Sequence, residues 1–304
     1  MTSGAVIRSL GLRQARARTA WWFLAPSLLV LTAVALWPLG RTFVFSFTDA
    51  LLTEPDFYSY IGFDNYRALF EDPLWWQSVR NTLYFTVISV SIETVLGLTI
   101  ALLLNSHIAG RGAMRAIILI PWSIPVVVSA RMWQWMLHDQ FGIVNHVLKM
   151  AGFIDSGIAW TANASLVMPV IIAVDVWITT PFMVLLILAG LQMLPRGIYE
   201  VAAIDGVPAW KQFTSLTLPL LAPSIAVAVL FRLLDALRMF DLSFVLSSNS
   251  DDTKTVSIYA REVLVNFQDM GVGSAASTAV FLMIAVVTAI YVTVFRLNRR
   301  LLGV

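Results

Sequence analysis

The chain has 304 residues, of which 59% are hydrophobic and only 12% charged; a soluble domain is about 45–50% apolar and about 25% charged, so composition alone marks an integral membrane protein. The formal charge of +2 is too small an excess to argue for a nucleic-acid partner. The absence of cysteine excludes a disulfide framework, thiolate metal sites and a cysteine nucleophile, and His107, His138 and His146 show no metal-ligand spacing.

A helix needs about 20 apolar residues to cross roughly 30 Å of hydrocarbon. Runs of that length, bounded by charge, proline or glycine, predict six spans at 20–44, 79–104, 116–137, 166–191, 217–246 and 274–297. The expected fold is all-α, with a basic segment at residues 1–19 and a transmembrane domain at 20–304. The first run follows Arg8, Arg13, Arg16 and Arg18, like the flank of a signal peptide. It is longer than a signal-peptide core and five more runs follow, so it reads as a retained span. The connecting segments 45–78 and 138–165 are rich in aromatic residues, Asp, Gly and Pro, which suits short interfacial helices and turns. Trp75 and Trp76 suit an aromatic belt at the membrane surface.

Orientation follows from lysine and arginine, which stay on the cytoplasmic side of the spans they flank. The N-terminal segment, the 105–115 loop (Arg111, Arg115), the 192–216 loop (Arg196, Lys211) and the C-terminal segment (Arg296, Arg299, Arg300) outweigh the opposite loops. Those hold Arg41, Arg67, Arg80, Lys149, Lys254 and Arg261, along with most of the acids, among them Glu54, Asp56, Asp64, Glu71, Asp72, Asp251 and Asp252. Both termini and the 192–216 loop are expected in the cytoplasm.

That loop contains EVAAIDGVPAWKQF, residues 200–213. It reads either as a plain connecting hairpin or as a compact docking knob. Pro195 can start a helix on which Tyr199, Ala202 and Ala203 share a side, and small residues permit close approach of another helix. Gly206 breaks the backbone without a Cβ penalty, Pro208 presets the next helical turn, and Phe213 can fold back on the first helix. Glu200 is left on the surface.

Glu200 to Gly206, then Phe213, then Leu218-Pro219-Leu220-Leu221-Ala222-Pro223 resemble the EAA coupling loop of binding-protein-dependent ABC importers. The resemblance is closest to permeases of the maltose, trehalose and glycerol-3-phosphate type. It extends to Ile120-Pro121, Trp133, Gly142-Ile143-Val144-Asn145, Pro181, Phe240-Asp241 and Gly273-Ser274-Ala275-Ala276, covering roughly residues 20 to 300. Val201 departs from the alanine the family often has there. The resemblance implies the type I ABC importer permease fold, with Glu200, Ala202, Ala203, Asp205 and Gly206 docking on an ATPase subunit.

The resemblance further implies a second homologous permease, two ATPase subunits that bind ATP and Mg, and an extracytoplasmic solute-binding lipoprotein as partners, in the cytoplasmic membrane of a bacterium. The chain has no GxxxxGK[ST] phosphate-binding loop, so its energy is expected from those ATPases. No cofactor and no catalysis are expected of it, and sugar and membrane lipid are its expected non-protein contacts.

Charged residues inside the runs, apart from Arg41, Arg80 and Arg296 near run ends, are Glu93, Arg131, Asp175, Arg232, Asp235, Arg238 and Asp241, each costing about 2.5–3.5 kcal/mol on insertion scales unless paired or wetted. Arg131 can snorkel from the outer end of its span. Arg232, Asp235 and Arg238 lie along one side of the fifth helix, with Asp235 in reach of both arginines. They form either a structural ion-pair ladder or part of a solute path. In maltose-type permeases sugar contacts come from the fourth and fifth spans, and that pattern falls here on Ile178, Thr179, Phe182, Arg232, Asp235 and Met239. Several differ in type from the maltose protein, so the sugar stays open, with glycerol 3-phosphate as an alternative solute. An ion-coupled carrier using Glu93, Asp175 and Asp235 as a relay would need no docking knob and often shows an inverted repeat. A membrane-embedded enzyme lacks any motif to support it.

Overall fold

The computed structural model describes the backbone of residues 3–106 and 110–302 and the side chains of 17–106 and 110–296. His107 and the side chains of Arg8, Arg13, Arg16, Arg299 and Arg300 lie outside the described residues. Among the described residues five helices are long and apolar enough to span a membrane: Ala17–Phe45, Pro73–Asn105, Val167–Gln192, Ala209–Ala236 and Met270–Arg296. The bent pair Arg111–Ser123 and Val126–Met136 passes the same test together and, taken as one span, brings the number to six. The protein is thus an all-α membrane protein with six spans, numbered one to six in chain order below.

The third span departs from the single run expected at 116–137, since its two helices meet at 91°. The cause is local. Pro125 forces the residue before it out of helical geometry, and Ile124 is extended at φ −86°, ψ 132°. The fifth span differs at both ends. It starts at Ala209, because the second helix of the 192–216 loop runs through a π turn at Phe213–Thr217 into Leu218–Ala236. It stops at Ala236, ten residues early, and a separate helix follows at Asp241–Leu246. No glycine or proline marks that stop. The Thr255 hydroxyl donates to the carbonyl of Met239 at 2.8 Å and ties down the turn. Phe240-Asp241, within the run expected as the fifth span, therefore opens the short helix, and Gly273, just before the run expected as the sixth, lies inside the helix Met270–Leu302.

Two compact units divide the chain. In residues 1–69 with 263–278, the Asn65 amide donates to the carbonyls of Ser46 (3.0 Å) and Thr48 (2.7 Å). The Leu52 N–H donates to Gln268 at 2.8 Å and the Gly271 N–H to Ala50 at 2.9 Å. The first span in this unit presents its apolar surface outward, with Trp22, Phe23 and Leu29 exposed.

In residues 70–262 with 279–304, the fourth span is apolar nearly all round, Asp175, Thr179 and Thr180 excepted, and mostly buried, as expected for a helix enclosed by others. Its upper part packs with Phe85, Val90 and Ala130, its lower part with Ala101, Leu104 and Leu221. Gly97 allows the second span to approach closely: a Cβ there would sit 2.8 Å from the Cβ of Met183. Trp75, expected in a surface belt, is buried edge-on against Tyr259, whereas Trp76 is half exposed.

Lys254, in the loop after the fifth span, is also buried. Its ammonium pairs with Asp251 at 2.6 Å and with Glu262. Burial opposes the charge, but the two carboxylates outweigh it and hold the lysine above its ordinary pKa. The Asn81 amide fixes the same loop through the carbonyls of Asp252 and Lys254.

Candidate functional site

Three spans each place a polar pair, three or four residues apart, on one helix face, and the pairs converge. They are Ser89 and Glu93 on the second span, Asp175 and Thr179 on the fourth, and Arg232 and Asp235 on the fifth. The Arg232 guanidinium is their hub. Its Nε and Nη2 donate to Glu93 at 2.5 and 2.8 Å, Nη2 also to Asp175 at 2.9 Å, and Nη1 to Asp235 at 2.5 Å. The Ser89 hydroxyl lies 2.8 Å from Glu93 and 2.5 Å from Asp175. Thr179 Oγ1 lies 2.8 Å from Glu93 and 2.7 Å from its own helix's Asp175 carbonyl.

Arg232 and Glu93 are 2% and 0% exposed, so their attraction is little screened. The Asp235 side chain is 61% exposed. One guanidinium facing three carboxylates leaves surplus acceptor oxygens, and Asp235 presents them outward.

This arrangement corrects the ladder expected along the fifth helix. Among the described residues Asp235 pairs with Arg232 alone and Arg238 makes no ion pair. The strong links run across helices to Glu93 and Asp175. Three acids that a proton relay would use are bound to one arginine. Arg131 is exposed and donates to Gln134 at 2.8 Å.

On the exposed side of the hub are two pockets that share Thr179, Arg232, Asp235 and Arg238. One, of about 250 Å³, has an aromatic wall: Phe182 stacks on Trp122 with centroids 6.0 Å apart and meets Phe231 edge-on at 6.3 Å. The other, of about 180 Å³, is bounded by Val126, Ile178 and Met239. All six residues expected at the solute path thus gather around these pockets, though Ile178 is itself 3% exposed and belongs to the core. Trp122 and Phe231 also line the aromatic-walled pocket, and as apolar residues in apolar helices they carry no sequence signal. The sequence offers Glu93 as an intramembrane charge and a member of an acid relay, not as a partner of Arg232; its spacing of four from Ser89, matching Asp175 to Thr179, is the available clue.

At the other end of the fourth span, Pro195 occupies the residue before the helix Arg196–Ile204 without capping it through a side chain. The Val207 and Gly206 N–H groups donate back to Ala202 (2.9 Å) and Ala203 (3.2 Å), a Schellman closure that needs the left-handed Gly206, at φ +68°. Tyr199 Oη and Thr217 Oγ1, 3.0 Å apart, tie this helix to the base of the fifth span, while Phe213 opens the π turn beside it. Ala202 is buried by this tie but Ala203 is exposed, so the two alanines do not share a packed side. Glu200, Val201, Ala203, Ile204 and Asp205 form the outer surface.

The chain is 37% identical over 275 residues to the sulfoquinovosyl glycerol transport system permease protein of Agrobacterium fabrum, covering 90% of this chain and 89% of the relative. It is 38% identical over 289 residues to the trehalose/maltose transport system permease protein of Thermococcus litoralis, covering 95% and 97%. The fold resembles that of a chain in the crystal structure of a bacterial alginate ABC transporter in complex with alginate pentasaccharide-bound periplasmic protein. The TM-score is 0.80 at 24% identity, over 94% of this chain and 96% of that one. The architecture is the type I importer permease fold, and residues 93–303 match the model of one family. The chain therefore belongs to the family of binding-protein-dependent transport system inner membrane components.

Proposed function

We propose that this permease carries a carbohydrate, such as a disaccharide of the trehalose or maltose kind, and supplies half of its translocation path. The observation that carries the reading is the pairing of an aromatic wall (Trp122, Phe182, Phe231) with the outward-facing Asp235 carboxylate and Thr179 beside Arg232. Sugars present apolar ring faces to aromatic side chains and paired hydroxyls to planar charged groups. The names of the two relatives, which mention trehalose, maltose and sulfoquinovosyl glycerol, support it.

A second permease completes the path, an extracytoplasmic binding protein delivers solute, and two ATPase subunits bind ATP and Mg and grip the loop at Glu200, Ala202, Ala203, Asp205 and Gly206. Both termini lie in the cytoplasm, following the distribution of basic residues. The two permeases rock between outward- and inward-open states as the ATPases close, because packed interfaces switch between discrete arrangements. The chain itself performs no covalent chemistry.

Uptake of labelled trehalose, maltose and glycerol 3-phosphate by cells expressing the full transporter tests the reading. Asp235→Asn keeps side-chain shape and is expected to leave assembly and ATPase activity intact while abolishing sugar uptake. Normal sugar uptake by this variant would remove Asp235 from the path, and uptake of glycerol 3-phosphate alone would replace the sugar assignment.

A further inference from the structure

A cavity of about 560 Å³ lies where four helix ends meet, lined by Asn105, Arg111, Arg115, Gln192, Arg196 and Glu200 among others. Asn105 ends the second span, Arg111 starts the third, Gln192 ends the fourth, and Arg196 starts the coupling helix. The cavity therefore sits at the depth where spans leave the hydrocarbon, level with lipid headgroups. Its walls carry three guanidiniums and one carboxylate.

Among the described residues none of the three arginines makes an ion pair. Arg115 donates only to the Leu104 carbonyl, at 3.2 Å, and its Nε is buried with no partner. Both helices that start here lack a side-chain cap, so no capping side chain meets the N–H groups their first turns leave free.

Guanidinium forks match the geometry of phosphoryl oxygens, and basic pockets between spans at the cytoplasmic surface suit anionic headgroups. We propose that this cavity binds a phosphoryl group, from an anionic phospholipid or a soluble phosphate, and that the bound group braces the coupling helix against the ends of the second, third and fourth spans. Arg196 and Glu200 join the cavity to the coupling helix, so occupancy bears on the element that meets the ATPase.

The test uses the full-length chain purified with its partner subunits. Inorganic phosphate is titrated against chloride at matched ionic strength, with the unfolding midpoint as readout. In parallel, native mass spectrometry compares retention of phosphatidylglycerol with that of phosphatidylcholine. One probe or both is expected to bind, and Arg196→Gln and Arg111→Gln, at exposed positions that leave folding intact, are each expected to weaken binding about tenfold. Arg131→Gln is expected to change nothing.

A phosphate effect alone assigns a soluble ligand, and selective phosphatidylglycerol retention alone assigns a headgroup; either supports the site. Binding of neither probe, or binding indifferent to the two arginine changes, overturns it. Loss of ATPase co-purification in those variants without binding of either probe also overturns it, and makes the arginines protein contacts.

Discussion

Removing the guanidinium of Arg232 is the sharpest test of how the three-span hub is held. Arg232 is 2% exposed and its partners Glu93 and Asp175 are 0% and 7% exposed, so Arg232→Ala strands two acids away from water. Breaking a buried pair by deleting one partner costs about 3–5 kcal/mol, which for a chain of this size lowers the unfolding midpoint by on the order of 10 °C. The pair with Asp235 is of another kind. With its side chain 61% exposed, Asp235→Asn is expected to cost only about 0–1 kcal/mol. Adding Glu93→Gln and Asp175→Asn to Arg232→Ala removes the stranded charges and should recover part of the loss, because coupled sites are not additive. The assay is heating in mild detergent followed by fluorescence-detected size exclusion, which reports the fraction still folded. An unchanged midpoint for Arg232→Ala, or an equal fall for Asp235→Asn, would refute the view that buried cross-helix pairing holds the hub.

Four further outcomes are expected. Glu200→Lys should insert and fold normally yet lose ATPase-coupled uptake, since Glu200 is exposed on the coupling helix; co-purification of the ATPase measures the break. Gly206→Ala should cost about 1–2 kcal/mol, because its φ of +68° is unfavourable for any residue with a Cβ, and should depress uptake more than expression. Single cysteines at exposed positions 60 and 252 should react with an impermeant thiol reagent from outside, and those at exposed positions 112 and 210 should not; the reverse pattern would invert the topology. Lys254 has a folded pKa raised above its unfolded value, so its stabilisation is complete below an unfolded value of about 10.4 and fades as pH rises through the higher folded one. Lys254→Met should therefore destabilise at neutral pH and flatten the alkaline limb of a stability profile.

The sequence by itself determined the class, the number of spans and the position of the coupling loop. Span-length apolar runs have one stable home, and Gly206 before Val207-Pro208 permits the left-handed turn that closes the helix, at φ +68°. The six residues proposed for the solute path were named only through resemblance, since Ile178 and Phe182 are ordinary residues for an apolar helix, and the structure brings them around two neighbouring pockets. Only the tertiary structure decided the rest. The stop at Ala236 has no local punctuation and depends on a hydroxyl from Thr255, and Trp75 is buried because Tyr259 arrives beside it from far along the chain. The exchange of Asp235 for Glu93 and Asp175 as the deep partners of Arg232 has the same origin. Helical spacing reveals which charges share a face of one helix, but a buried charge is satisfied by whatever faces it, and which helix faces it is fixed only when the spans pack.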